Sequence, residues 1–203
     1  MKIKLLWQVP LLFFLLLCIV SAMWPLTNRS YLNRDRALCQ TNLKDIALAH
    51  FHYSQDYDER MPLVAIHDAA ISPQRPLGWA DALQPYLKST ALFQCPSQAD
   101  TETSLLPHQN GYTDYWYNAQ LAGVDQKSLS NPALVLLYGD GNDGTDATNA
   151  RYSLSELPAA WRKADAPALR HLDGANYAFA DGHVKWIMVR AFTASKLYTF
   201  DLQ

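Results

Sequence analysis

The chain has 203 residues, of which 12% are aromatic and only 18% charged, with 17 Lys and Arg against 19 Asp and Glu. That balance excludes a disordered chain, which would be rich in charge and poor in aromatic rings. A formal net charge of −2 without a basic run offers no hold on a phosphate backbone, so nucleic acid is excluded as a partner.

The first element is apolar. No residue from Leu5 to Asn28 is charged, and Leu5–Trp24 is interrupted only by Gln8, Pro10 and Ser21. A membrane-spanning helix needs roughly 20 apolar residues, and Trp7 and Trp24 stand where interfacial aromatics anchor such a helix. Lys2 and Lys4 precede the run while Arg29, Arg34 and Arg36 follow it, so charge alone does not orient it. The exported character of the remainder places the N-terminus inside. Residues 1–28 are therefore read as a membrane anchor and 29–203 as one extracytoplasmic domain. The competing reading is a cleavable signal peptide: two lysines, a short apolar core and Val20–Ser21–Ala22 fit cleavage after Ala22.

Three cysteines follow different logics. Cys18 lies in the apolar run, which leaves Cys39 and Cys95 as a pair in the domain. No CxxC and no Cys/His cluster supports a zinc finger or ribbon. Outside the cytoplasm the pair is expected to form a Cys39–Cys95 disulfide, the alternative being two buried thiols.

Cys39, Leu43, Ile46, His50, Tyr53 and Tyr57 recur at spacings of four, three, four, three and four. That is one stripe of an α-helix over residues 30–57, ending before Met61–Pro62. His50 on this stripe reads as a core histidine, and His52 points elsewhere. Residues 78–88 form a short amphipathic pattern, with Trp79, Leu83, Tyr86 and Leu87 on one face and Pro85 interrupting it. Residues 133–138 are a short apolar run after Asn131–Pro132, the pattern of a buried strand. Residues 175–180 and 183–189 flank Asp181–Gly182, so a hairpin closed by a two-residue Asp-Gly loop is predicted. Tyr177 and Phe179, with Val184, Trp186 and Met188, would supply its buried faces. The stretches 65–76 and 98–109 read as exposed loops. A helix followed by several strands is an α+β arrangement.

Two residue sets carry candidate chemistry. Asp140, Asn142, Asp143 and Asp146 lie on a Gly-rich acidic loop, the oxygen-rich chemistry that calcium prefers, although Arg151 stands where an EF-hand has Glu. The alternative is a solvated Asp/Gly turn. His171, Asp173, Asp181 and His183 could bind a divalent metal or serve acid–base chemistry if they converge. The structural alternative makes Gly182 the positive-φ residue of a turn and His171 a hydrogen-bonding support. No phosphate-cradling loop, nucleophile elbow or HExxH helix occurs, so no enzymatic activity is expected.

Taken together, Cys39-Gln-Thr-Asn-Leu-Lys-Asp-Ile-Ala-Leu-Ala-His-Phe-His-Tyr-Ser-Gln-Asp-Tyr-Asp58, Phe93-Gln-Cys95-Pro96, Tyr115-Trp-Tyr-Asn118, and Arg170-His171 through Asp181-Gly182-His183-Val184 resemble one family. It is that of bacterial pseudopilin-like proteins with the prepilin-type processing-associated H-x9-DG domain, its motif residues here being His171, Asp181 and Gly182. The resemblance implies a pilin-like fold, a long N-terminal helix packed on a small antiparallel sheet. It also implies a single-pass protein of the cytoplasmic membrane, its head in the periplasm or extracellular space. The expected role is that of an accessory component of a type II secretion or type IV pilus-like system, partnered by the membrane, other pilin-like subunits or secretion-machinery proteins. Some pseudopilins of secretion systems hold calcium on an acidic loop. One departure is clear: the first 28 residues contain neither the Gly nor the Glu of a prepilin processing site. Processing by a prepilin peptidase is therefore not expected. The reading from a different class is a secreted or surface binding module for carbohydrate or protein, favoured if Trp116 or Trp161 is exposed beside the acidic loop.

Overall fold

The computed structural model describes residues 2–66, 76–98, 106–142, 144, 146–163, 165–166, 168–194 and 198–202. It divides into two compact units, Met1–Arg34 and Asp35–Gln203. The apolar run read from the sequence falls wholly within the first.

Helix α1 runs from Lys2 to Asp56. In its first unit Leu12, Phe13, Phe14, Leu16 and Ile19 are each more than half exposed, and the helix is long and apolar enough to cross a membrane. Within the second unit α1 is a core element: Cys39, Leu43, Ile46 and His50 are fully buried and Tyr53 nearly so. Burying side chains such as Leu43 and Ile46 contributes about 1.5–3 kcal/mol each. The stripe ends at Tyr57, which is 53% exposed. Asp58 and Glu59 then take positive φ and turn the chain out of the helix.

Five strands form one sheet in the order β3-β1-β2-β4-β5. They are β1 (Tyr115–Asn118), β2 (Leu136–Asp140), β3 (Ser153–Leu154), β4 (Gly174–Phe179) and β5 (Val184–Met188). All pairings are antiparallel except β1 with β3. The α+β expectation of a long helix on a mostly antiparallel sheet is met. Successive strand residues point to opposite faces, and both faces are covered. Tyr115, Tyr117, Tyr138 and Ala178 join the α1 residues, α2 (Trp79–Leu83) and Phe93 in one cluster. Trp116, Leu136, Tyr177, Phe179 and Ile187 join Trp161 and Phe200 in a second. Helix α3 (Val189–Ala194) follows directly on β5.

Aromatic rings fill the helix side. Trp79 lies 4.9 Å from Tyr138 and 5.7 Å from Tyr117, and its indole N–H donates to the Tyr152 carbonyl at 2.8 Å. His50 is hydrogen-bonded through Nδ1 to the Tyr138 hydroxyl at 2.8 Å. Burial drives its pKa from 6.5 down to about 3, so it is a neutral core residue.

Several sequence expectations are refined. The pattern over 78–88 is helical only to Leu83, because Pro85 converts the next turn to a 3₁₀ helix, Gln84–Tyr86. In β5 the buried residue is Ile187, while Trp186 is half-buried and Met188 exposed. A one-residue difference in register moves every side chain to the other face, and β5 presents its odd-numbered position to the second cluster. Trp116 and Trp161 are both buried, at 0% and 3% exposure, so neither offers a surface platform for a sugar. Most of the loops read at 65–76 and 98–109 lies outside the described residues.

Candidate functional site

His171 is a buried polar residue with contacts to several elements. A tight turn positions it. Leu172 and Asp173 both have positive φ, 54° and 59°, and His171 and Gly174 exchange backbone hydrogen bonds across them. Two consecutive left-handed residues define a type I′ turn. The Trp186 indole N–H donates to the His171 carbonyl at 2.7 Å, which ties this turn to β5.

The imidazole is fully buried. Its Nε2 lies 3.0 Å from Asp140 Oδ2 and 3.4 Å from Cys95 Sγ, and its Nδ1 lies 3.4 Å from Ser97 Oγ. Both ring nitrogens are thus engaged, Nε2 by the Asp140 carboxylate and Nδ1 by the Ser97 hydroxyl. Asp140, at the end of β2, is held in turn by Asn176 of β4. The Asn176 backbone N–H donates to Oδ1 at 2.8 Å and its Nδ2 to Oδ2 at 2.7 Å.

Cys95 is joined to Cys39 of α1 by a disulfide, with the Cα atoms 5.5 Å apart. Cys18 is the remaining, free cysteine. The Cys95 N–H donates to Asp114 Oδ2 at 2.7 Å, and Asp114 Oδ1 lies 3.6 Å from Arg170 Nη1. Burial raises the Asp114 carboxyl above its usual range, and the Arg170 cation and the Cys95 N–H pull it partly back. The Arg170 side chain is 4% exposed, and its nitrogens find no hydrogen-bond partner among the described residues. Helix α1, the segment after Phe93, β2, β4 and β5 therefore meet at one buried polar knot.

His171 and Asp181–Gly182 stand at opposite ends of β4, and the structure does not bring them together. Asp181 and His183 are partly exposed and pair with each other, Oδ1 to Nδ1 at 2.6 Å. The His183 ring stacks on Phe179 at 4.2 Å. Asp173 is exposed. A metal or acid–base site made of His171, Asp173, Asp181 and His183 is thus divided between buried and exposed positions. The β4–β5 hairpin is present, but its turn differs from the two-residue loop expected. Gly182 N–H donates to the Phe179 carbonyl at 2.8 Å, and only Gly182, at φ 88°, is left-handed in this loop. That is a type I turn closed by a glycine bulge. A Cβ on Gly182 would stand 2.6 Å from Phe51 Cε2, so this glycine also lets the hairpin tip approach α1.

The acidic loop is likewise divided. Asp140 points its carboxylate at Asn176 and His171. Asn142 Oδ1 accepts from the Gly144 N–H at 3.1 Å, and Asp146 Oδ2 accepts from the Tyr152 hydroxyl at 3.1 Å. Asn142 and Asp146 line a depression of about 190 Å³ that includes Asp114 and Thr148. Asp143 lies outside the described residues. Sequence reasoning missed Asp114, Arg170, Asn176 and Ser97. Arg170 adjoins the motif histidine and Asp114 the Tyr-Trp-Tyr-Asn run, but no local pattern links them.

A long helix, apolar at its start and built into the core further on, packed on a mostly antiparallel sheet and joined by a disulfide to the segment after Phe93, defines an α+β protein of pilin-like architecture. The chain belongs to the family described as protein of unknown function (DUF1559), whose profile matches residues 34–154, more than half of its length. Cys39, Cys95, Asp114 and Asp140 lie inside that span, and the His171–Gly182 motif lies beyond it. No curated protein and no solved structure matches the chain.

Proposed function

We propose that the chain is a membrane-anchored, pseudopilin-like accessory component of a type II secretion or type IV pilus-like assembly, with an architectural and not a catalytic role. The observation that carries this reading is α1. One helix has an apolar start whose described side chains from Leu12 to Trp24 are exposed, and then supplies the buried stripe Cys39, Leu43, Ile46 and His50 of the domain. The first part suits a bilayer. Burial of His171 and Asp140 supports the architectural role, because neither side chain can meet a substrate. The head sits on the outer side of the cytoplasmic membrane, and its partners are other helix-bearing subunits or secretion-machinery proteins. Fractionation of native cells with the intact, non-reduced mass tests the anchor. Full-length chain in the membrane is expected, and a soluble chain beginning at Met23 would overturn it. A photocrosslinker at Leu48, which is 50% exposed on α1, tests assembly. Adducts with other helix-bearing subunits are expected, and their absence would sink the assembly half of the reading.

A further inference from the structure

The second hydrophobic cluster, on the sheet face away from the buried stripe of α1, carries a cavity of about 460 Å³. Small-molecule sites occupy about 300–1,000 Å³. Phe192, Tyr198 and Phe200 form its aromatic wall. Phe200 is stacked on Trp116 at 5.3 Å and Phe192 on Tyr177 at 5.2 Å, which holds both rings in place. The Tyr198 hydroxyl accepts from Lys185 Nζ at 2.9 Å. The chain bearing Phe200 is fixed as well. Thr199 makes backbone hydrogen bonds with Leu134 and Leu136, and Asn118 Nδ2 donates to the Phe200 carbonyl at 3.0 Å. The cavity is therefore pre-formed, and a ligand need not order it.

Exposed polar groups complete the lining. Glu156 and Asp201 contribute carboxylates, Gln120 an amide and Arg162 a guanidinium. Gln120 Nε2 donates to the Ser155 carbonyl at 2.8 Å, which leaves the amide oxygen as an acceptor. Arg162 Nη2 donates to the Leu157 carbonyl at 3.1 Å, and the guanidinium has further donors to offer. Charges of both signs decide the class of ligand. An anion would meet Glu156 and Asp201, and a cation would meet Arg162 and the Lys185 ammonium beside Tyr198. A neutral, hydroxyl-rich ligand incurs neither repulsion, because a hydroxyl donates to a carboxylate as readily as it accepts from a guanidinium. Aromatic rings with a few placed polar groups then suit a molecule whose rings have apolar C–H faces and polar edges.

We propose that this cavity is a saccharide site. It takes a neutral oligosaccharide, whose sugar rings pack on Phe192, Tyr198 and Phe200. Its hydroxyls donate to Glu156, Asp201 and Gln120 and accept from Arg162. The lining shares no residue with α1, so the site stands apart from the assembly role proposed above.

The test uses the full chain in a detergent without a sugar headgroup, titrated with maltotriose, cellotriose and chitotriose at millimolar concentrations. Saturation-transfer NMR and calorimetry follow binding. At least one trisaccharide should bind saturably. Glu156→Gln and Asp201→Asn, both at exposed positions, should each weaken it about 10-fold, the worth of one hydrogen bond to a charged group. Phe192→Leu, which keeps apolar bulk but not the ring, should weaken it about 5-fold. Tyr57→Ala, far from the lining in sequence and 53% exposed, should leave it unchanged. Absence of saturable binding to all three sugars would overturn the proposal, as would undiminished affinity in all three lining variants. Tighter binding of trigalacturonate, chitosan trimer or triglycine than of every neutral sugar would refute the ligand class.

Discussion

His50 makes the fold acid-sensitive in a defined window. Its pKa is held at about 3 in the folded chain against an ordinary histidine value of 6.5, because burial disfavours the charged ring. The unfolded chain therefore binds a proton that the folded chain refuses. Stability from this residue is complete above pH 6.5 and declines as the pH falls from there toward 3. The limiting slope is about 1.4 kcal/mol per pH unit, and integration from pH 7.5 to 5.0 gives a loss of about 2 kcal/mol. Asp114, with its raised pKa, acts in the opposite direction, so total stability is not the informative quantity. The difference between the parent chain and His50→Asn is. Asn places a polar atom near the position of Nδ1, does not titrate, and leaves the Asp114 contribution in both arms. Urea unfolding of the intact chain in detergent, followed by tryptophan fluorescence between pH 5.0 and 7.5, supplies the curves. His50→Asn should start lower at neutral pH, because it leaves a cavity, and should lose about 2 kcal/mol less than the parent across the range. Parallel curves would refute the assignment of His50 as a neutral, desolvated core residue.

Gly182→Ala should destabilise the domain by about 1–2 kcal/mol from the left-handed backbone alone, and by more if the Phe51 ring cannot move; a Tm unchanged within 1 °C would contradict that packing. Replacing Leu172–Asp173 with Asn-Gly, the pair preferred by a type I′ turn, should stabilise by about 1 kcal/mol in the same unfolding assay. Cys39→Ala with Cys95→Ala removes a covalent loop closed over a separation of 56 residues, an expected loss of about 4 kcal/mol by loop entropy. Thermal unfolding measures it. Millimolar calcium should shift the Tm by less than about 1 °C, since Asp140 is already committed to Asn176 and His171; a larger rise, abolished by Asp146→Asn, would show that the remaining loop ligands suffice.

Much of the helical part was legible in the sequence, because a 3.6-residue stripe is a local signal. Cys39, Leu43, Ile46 and His50 are buried as their spacing requires. The buried strand near Leu136 and the β4–β5 hairpin were legible for the same reason. Turn chemistry was less so. Asp181-Gly182 carries the residues of a type I′ turn, yet that turn occurs at Leu172–Asp173, where composition argues against it and tertiary ties to Trp186 and β4 impose it. Strand β1 was not recognised as a strand: Tyr115-Trp-Tyr-Asn118 is buried on both faces, so it shows no alternation. The polar knot was hidden for a different reason. Its members come from positions 39, 95, 114, 140, 170, 171 and 176, and only the folded sheet brings them together.

The Cys39–Cys95 bond also decides how the domain responds to being pulled. Under the function proposed above, a load applied through the N-terminal helix would enter the second unit at Asp35, only four residues before Cys39. From there the disulfide passes tension directly to Cys95, and the enclosed segment carries none of it. That segment spans a separation of 56 residues, so about 190 Å of extensible length is withheld at about 3.4 Å per residue. The stretch contains the core half of α1 and all of α2. With the bond intact, the chain would yield from the C-terminal side of Cys95 while the helix stays seated. With the bond open, the same force would peel the helix first.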